Sequence, residues 1–209
     1  MAARIFVDPA YFDPVALDAA VDVLRAGGVV AYPTDTLYGL AADPRRPDAV
    51  ARIFALKGRA ETSPLTLIAA DPDQASAAAF FTARAAALAR MMWPGPLTIV
   101  TTARRGLARE ALAGGATVGV RVPRNAVACT LASRFGFCIT ATSANRSGEP
   151  PTEDPDAVLA ALPDVDLLID GGAAPGGPPS TIVDATADVL RLIREGAVPW
   201  RSVLEGVTE

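Results

Sequence analysis

Histidine is absent from all 209 residues, which removes the commonest general base and the commonest zinc ligand. A histidine-based catalytic triad is excluded. Lysine is almost absent: of 19 basic residues 18 are arginine, and Lys57 stands alone. The only cysteines, Cys129 and Cys138, have neither redox-motif nor metal-ligand spacing, so two small core thiols are expected and no disulfide. No apolar stretch approaches the roughly 20 residues that cross a bilayer. The first twelve residues carry Asp8 and Pro9 where a signal peptide would be apolar, so a cytoplasmic protein without membrane contact is expected. A net charge of −4 gives no global attraction to a polyanion, and any nucleic-acid contact needs a local basic patch.

What is present is enough apolar sequence, 51% of residues, for a sizeable core, and the length suits one domain spanning 1–209. Apolar residues at helical spacing from Val15 to Ala26 stop at Gly27-Gly28, a C-terminal glycine signal. The continuous apolar run Val29 to Pro33 then reads as a buried strand. Further helices are expected over Pro47–Leu56, Ala83–Met92, Ala126–Arg134 and Asp156–Leu162. Strands are expected over Leu65–Ala70, Leu97–Thr102, Val118–Val122, Cys138–Thr142, Leu167–Ile169, Thr181–Asp184 and Val189–Ile193. This alternation predicts an α/β protein with one twisted, open, mixed sheet carrying helices on its faces. Two loop-like segments, Asn145–Pro155 and the Gly/Pro-rich Gly171–Pro179, could approach a ligand closely or move as a lid.

Polar groups gather at the predicted strand ends, where open α/β sheets bind ligands. PTDTLYGL places Thr34, Asp35 and Thr36 after the first buried strand, although a turn closed by Thr and Asp side chains has the same appearance. Lys57-Gly58-Arg59 follows a helix and precedes Ser63-Pro64-Leu65; an ammonium and a guanidinium on one loop suit an anionic ligand. As a loop charge, Lys57 would add little to stability. Arg121 lies inside an apolar strand pattern, so it should face a carboxylate, a phosphate or a wet cleft. Ser143 and Asn145 supply a hydroxyl and an amide at another strand end. No glycine segment fits a P-loop or a dinucleotide fingerprint.

Taken together, PTDTLYGL, KGR with SPL, WPGPLTIV, TVGVRVP, SAN with SG, and PSTIVD run in order from about residue 15 to residue 197, and in them the chain resembles the YrdC family of threonylcarbamoyl-AMP synthases. The resemblance implies a twisted open α/β sheet with a large concave cleft, shared with RibB-like folds. It also implies the reaction of L-threonine, bicarbonate and ATP to threonylcarbamoyl-AMP and pyrophosphate, for threonylcarbamoyladenosine modification of tRNA. ATP enters as a substrate, Mg2+ accompanies its phosphates, and no protein metal site is implied. By position, Thr36, Arg121 and Ser180 would contact threonine; Arg59, Ser63, Thr117, Ser143, Asn145 and Arg194 would contact the nucleotide. Lys57 and Arg59 would be the catalytic cations. Two positions depart from the pattern: Ile68 stands where many relatives have histidine, and Pro151 where some have serine. The resemblance also implies a short form without an additional C-terminal domain, and downstream proteins that transfer the threonylcarbamoyl group. The other readings are an RNA-binding module with weak tRNA contact and a non-synthase YrdC-like paralogue; a dihydroxybutanone-phosphate synthase of related fold relies on histidine, which this chain lacks.

Overall fold

The structure, a computed structural model, describes residues 2–58 and 63–205. Its α/β architecture carries helices against twisted, mixed sheets as expected, but the strands divide between two sheets where the sequence suggested one. The first sheet takes β1 (Ala3–Phe6), β2 (Val30–Tyr32), β3 (Gly39–Ala41), β9 (Thr142–Ser143) and β10 (Leu167–Asp170) in the order β1-β10-β2-β3-β9. The second takes β4 (Thr66–Ile68), β5 (Ala79–Phe80), β6 (Leu97–Ala103), β7 (Thr117–Arg121), β8 (Ile139–Thr140), β11 (Thr181–Asp184) and β12 (Arg191–Arg194). Its order is β12-β11-β6-β7-β4-β8, with β5 also on β6.

The division happens within the run Cys138–Thr142, expected as one strand. Its first half pairs with β4 and its second with β3. At the junction the bonds interleave: Thr140 N–H reaches Ala42 O, beside the first sheet, at 3.1 Å, and Ala141 N–H reaches Thr66 O, in the second, at 2.7 Å. Buried Thr140 then completes the seam: its hydroxyl donates to Leu40 O and accepts from Ala42 N–H. The chain crosses here from one sheet to the other.

Helices α1 (Asp18–Arg25) and α5 (Ala126–Phe135) cover one apolar cluster that takes Val30 and Tyr32 from the first sheet and Ile68 and Ile139 from the second. Helices α2 (Pro47–Lys57) and α6 (Pro155–Ala161) cover a second cluster, while α3 (Pro72–Ala78), α4 (Ala83–Met92) and α7 (Trp200–Glu205) pack on a third. Burial lifts the Cys129 thiol to about 11 and the Cys138 thiol to about 12, so both are inert, and they remain unpaired. No helix among the described residues is long and apolar enough to cross a membrane.

Close backbone approach fixes the end of β12. A Cβ on Gly196 would sit 2.0 Å from Pro179 O, a separation no side chain tolerates, so glycine is required where this segment crosses the entry to β11. Thr181 then ties the crossing, its hydroxyl accepting from Gly196 and Val198 N–H and donating to Val198 O.

At the far end of β11, burial pushes the Asp184 carboxyl up, but the Thr186 hydroxyl and N–H and the Arg191 guanidinium outweigh it and hold it below its ordinary 3.8. A lowered folded-state pKa stabilises above the unfolded pKa and is lost as pH falls through the folded value. Asp184→Asn is therefore expected to be destabilising at neutral pH, with the gap from the parent protein closing as pH drops below about 4, checked by urea unfolding at several pH values. A pH-independent gap would refute this role.

Candidate active site

A cleft of about 360 Å3 opens where the sheets meet. From the first sheet come Thr34, Thr36 and Tyr38; from the second, Thr66, Arg121, Ile182 and Arg194; from the crossing strand, Ala141, Thr142 and Ser143. Ser180, just before β11, faces it as well. A second hollow of about 440 Å3, between Trp93 and Cys129, is mostly apolar and gathers no comparable set of polar groups.

PTDTLYGL is both things the sequence allowed. Thr34 closes the turn: its hydroxyl donates to Leu37 O at 2.7 Å and accepts from Thr36 and Leu37 N–H. The Thr34 and Thr36 hydroxyl oxygens also lie 3.1 Å apart, a pair in which either can be the donor. Thr36 itself lies at the cleft.

Arg121 ends β7 and is 5% exposed. Its Nη2 lies 3.2 Å from Asp35 Oδ1, close enough for an ion pair, yet the N–H is not aimed at that oxygen; Asp35 Oδ1 and Arg121 Nη1 both stay without a hydrogen-bond partner. The other Asp35 oxygen accepts from Arg124 N–H at 3.0 Å. Such an unsatisfied buried group costs about 1–3 kcal/mol, which an anion seated on the guanidinium would offset. On β12 of the same sheet, Arg194 donates to Ser180 O at 2.8 Å, and Ser180 Oγ shares a 3.0 Å bond with Thr98 Oγ1. Burial, then the positive charge of Arg121, pushes the Arg194 pKa down: two guanidinium groups share one anion-attracting space.

The structure thus brings together Thr36, Arg121, Ser143, Ser180 and Arg194. It does not bring Thr117 to that lining; Thr117 is exposed at the opposite end of β7, about 13 Å from Arg121 at a strand's rise per residue. Ser63 is half-buried beside Pro64, which lines the cleft. Arg59 lies outside the described residues. Pro151 lines the cleft, whereas Ile68 is fully buried in the core.

Lys57 and Asn145 are placed differently from the expectation. Lys57 is the last residue of α2, not a loop residue, and is 4% exposed, away from the cleft lining. Its Nζ donates to Ser143 O at 2.5 Å, Asn145 O at 2.8 Å and Asn145 Oδ1 at 3.3 Å. Asn145 is buried too, its Nδ2 donating to Arg146 O and Glu149 O. The signal was in the periodicity: Val50, Ile53, Phe54 and Lys57 form one helical stripe, all buried.

Sequence reasoning missed Tyr38 and Thr142 in the cleft wall. The Tyr38 hydroxyl, raised to about 12 chiefly by burial, donates to Gly172 O at 2.7 Å and accepts from Gly171 N–H at 3.2 Å. Gly176 N–H reaches Thr36 O at 2.8 Å and Ala174 N–H reaches Glu153 O at 2.9 Å. The glycine-rich segment, for which close approach to a ligand and movement as a lid were both open, is tied by these bonds to the cleft wall.

Comparison with known proteins gives the same family from several directions. The Sua5_yciO_yrdC family model, described as telomere recombination, matches residues 22–196. A threonylcarbamoyl-AMP synthase of Halorhodospira halophila is 45% identical over 66% of this chain and 73% of its own length. That of Pyrococcus abyssi is 35% identical over 91% of this chain but only 56% of its own, so this chain spans little more than half of that relative. The crystal structure of P. abyssi Sua5 complexed with L-threonine superposes with a TM-score of 0.91 at 32% identity, over 99% of this chain and 60% of the other.

Removing the Tyr38 hydroxyl should release the 171–177 segment. Tyr38→Phe is expected to cost about 1 kcal/mol, the usual worth of such hydrogen bonds, and to make this segment the preferred site of limited proteolysis. An unchanged cleavage pattern would show that the segment is held by other contacts.

Proposed function

Because the chain belongs to the Sua5/YciO/YrdC family, we propose that its cleft makes L-threonylcarbamoyl-AMP from L-threonine, bicarbonate and ATP. The observation that carries this reading is the convergence of Thr36, Ser143, Ser180, Arg121 and Arg194, from both sheets, on one cleft whose buried guanidinium is incompletely bonded.

In this reading Arg121 takes the threonine carboxylate and so completes its own hydrogen bonding, while Thr36 Oγ1 and the Ser180 hydroxyl hold the amine and hydroxyl end. Ser143 and Arg194 hold the nucleotide; Ser63, Thr117 and Arg59 belong to the nucleotide side by the family pattern. The threonine amine adds to bicarbonate, water leaves, and a carbamate forms. A carbamate oxygen then attacks the α-phosphorus of ATP, the bond to the β-phosphate bridging oxygen breaks, and pyrophosphate departs. No side-chain nucleophile or imidazole base is needed. The protein's work is positioning, for which well-oriented reactants gain up to about 7–11 kcal/mol, together with cationic stabilisation of the phosphoryl charge. Mg2+ belongs to this scheme as part of the substrate, MgATP, where it screens phosphate charge; the described residues hold no group of three or more His, Cys, Asp or Glu side chains that could bind the ion by themselves. In this reading the product passes to proteins that transfer the threonylcarbamoyl group to tRNA, and the enzyme works in the cytoplasm.

The direct test is pyrophosphate release with each substrate omitted in turn. Release that depends on threonine, bicarbonate and ATP together is expected; release without threonine would overturn the assignment. Serine, lacking one methyl, should be disfavoured by roughly 10–200-fold, the range for one methylene in a pocket. Arg194→Ala should weaken ATP binding by about 1.5–3 kcal/mol while calorimetric threonine binding without nucleotide hardly changes. The reverse pattern would place Arg194 on threonine.

A further inference from the structure

Lys57 is a buried charged group to which this chemistry assigns no role, and it sits behind the described cleft lining instead of in it. Both of its ends bind the same strap. The ammonium donates to Ser143 O, Asn145 O and Asn145 Oδ1, and the backbone carbonyl accepts from Ser147 N–H at 2.8 Å. The far side of the strap, Thr142 and Ser143, forms the cleft wall. The strap is tied to the first sheet independently, through Ala144 N–H to Tyr38 O at 2.9 Å.

We propose that Lys57 is a positioning residue: it clamps the Ser143–Ser147 strap from behind, so that the Ser143 side of the strap presents the geometry required by the nucleotide. The inference rests on the synthase reading for its ligand, but not for the clamp. An ammonium suits the clamp because its N–H groups diverge tetrahedrally onto oxygens at 2.5, 2.8 and 3.3 Å, and because a cation is favoured at the C-terminus of α2. A planar guanidinium directs its donors in one plane and cannot reproduce this divergent set. That accounts for a lone lysine in a chain that otherwise uses arginine. The chain leaves α2 sharply after it, through Gly58 at φ 60°, so the lysine is fixed at a helix end rather than carried on the following segment.

The test compares the parent protein with Lys57→Met and Lys57→Arg, all full length. In the unliganded state, amide hydrogen exchange of Ala144 and Ser147 is expected to quicken at least about tenfold in Lys57→Met, with the β6–β7 ladder unchanged. ATP affinity is expected to fall about tenfold or more, threonine affinity to stay within about twofold, and Lys57→Arg to restore neither. Lost turnover with unaltered strap exchange overturns the proposal, because the ammonium would then act on the substrates themselves. Faster exchange with unchanged ATP affinity overturns it too, since the strap would carry no nucleotide contact. Should Lys57→Met not fold, Lys57→Gln removes the charge while keeping a polar head at the same helix end, and the same exchange and affinity criteria apply. If the parent protein releases no pyrophosphate, the synthase reading fails while the exchange result still decides the clamp.

Discussion

A guanidinium buried at the end of a strand sets the terms for this molecule. Arg121 cannot be left in an apolar sheet without partners, and the fold answers only in part. Asp35 is brought to it by the turn that Thr34 closes, and is itself held by Arg124 N–H, but the pair is imperfectly aligned. A fully satisfied ion pair would have been a structural element and nothing more. The incomplete one leaves Arg121 Nη1 without a partner, and Arg194, from the same sheet, brings a second positive charge near enough to feel it.

The cleft exists because the chain changes sheets between Thr140 and Thr142. Each sheet covers its apolar faces with helices, and α1 and α5 bridge the two. What remains between them is a space lined by the β2–β3 connection and by residues of β4, β7, β9, β11 and β12. Stability is thereby kept in the helix-covered clusters, while the polar groups at the seam remain available. The glycine-rich 171–179 segment belongs to this seam through Tyr38 and Thr36.

Much of this was legible from periodicity and punctuation. Ala83–Met92 and Thr181–Asp184 have the bounds their patterns indicated, and α2 runs one residue beyond its expected end. That one residue matters: it moves Lys57 from a solvated loop to the buried stripe it shares with Val50, Ile53 and Phe54. The short strands β1, β3 and β5 escaped because two to four residues carry no measurable period, and β3 lay inside a motif read for its chemistry. Helix α3 escaped although Asp71 and Pro72 form an N-terminal signal, with Asp71 Oδ1 capping Gln74 N–H. The second sheet was illegible for another reason: an apolar run does not say which partner each half will pair with. Of the site, the hydroxyls and arginines were readable as strand-end polar groups. The burial of Lys57 was readable from its helical stripe, but the partners of Lys57 and Asn145 were not, since most of their acceptors are backbone carbonyls with no sequence signature.

The proposed chemistry requires the cleft between the two sheets to seat threonine on Arg121 and the nucleotide beside Ser143 and Arg194. A crystal structure of this chain with L-threonine and a non-hydrolysable ATP analogue tests it most directly. The expected result is a threonine carboxylate within hydrogen-bond distance of the Arg121 guanidinium, with the nucleotide phosphates within reach of Ser143 and Arg194. Threonine bound elsewhere, with Arg121 still facing only Asp35, would contradict the account.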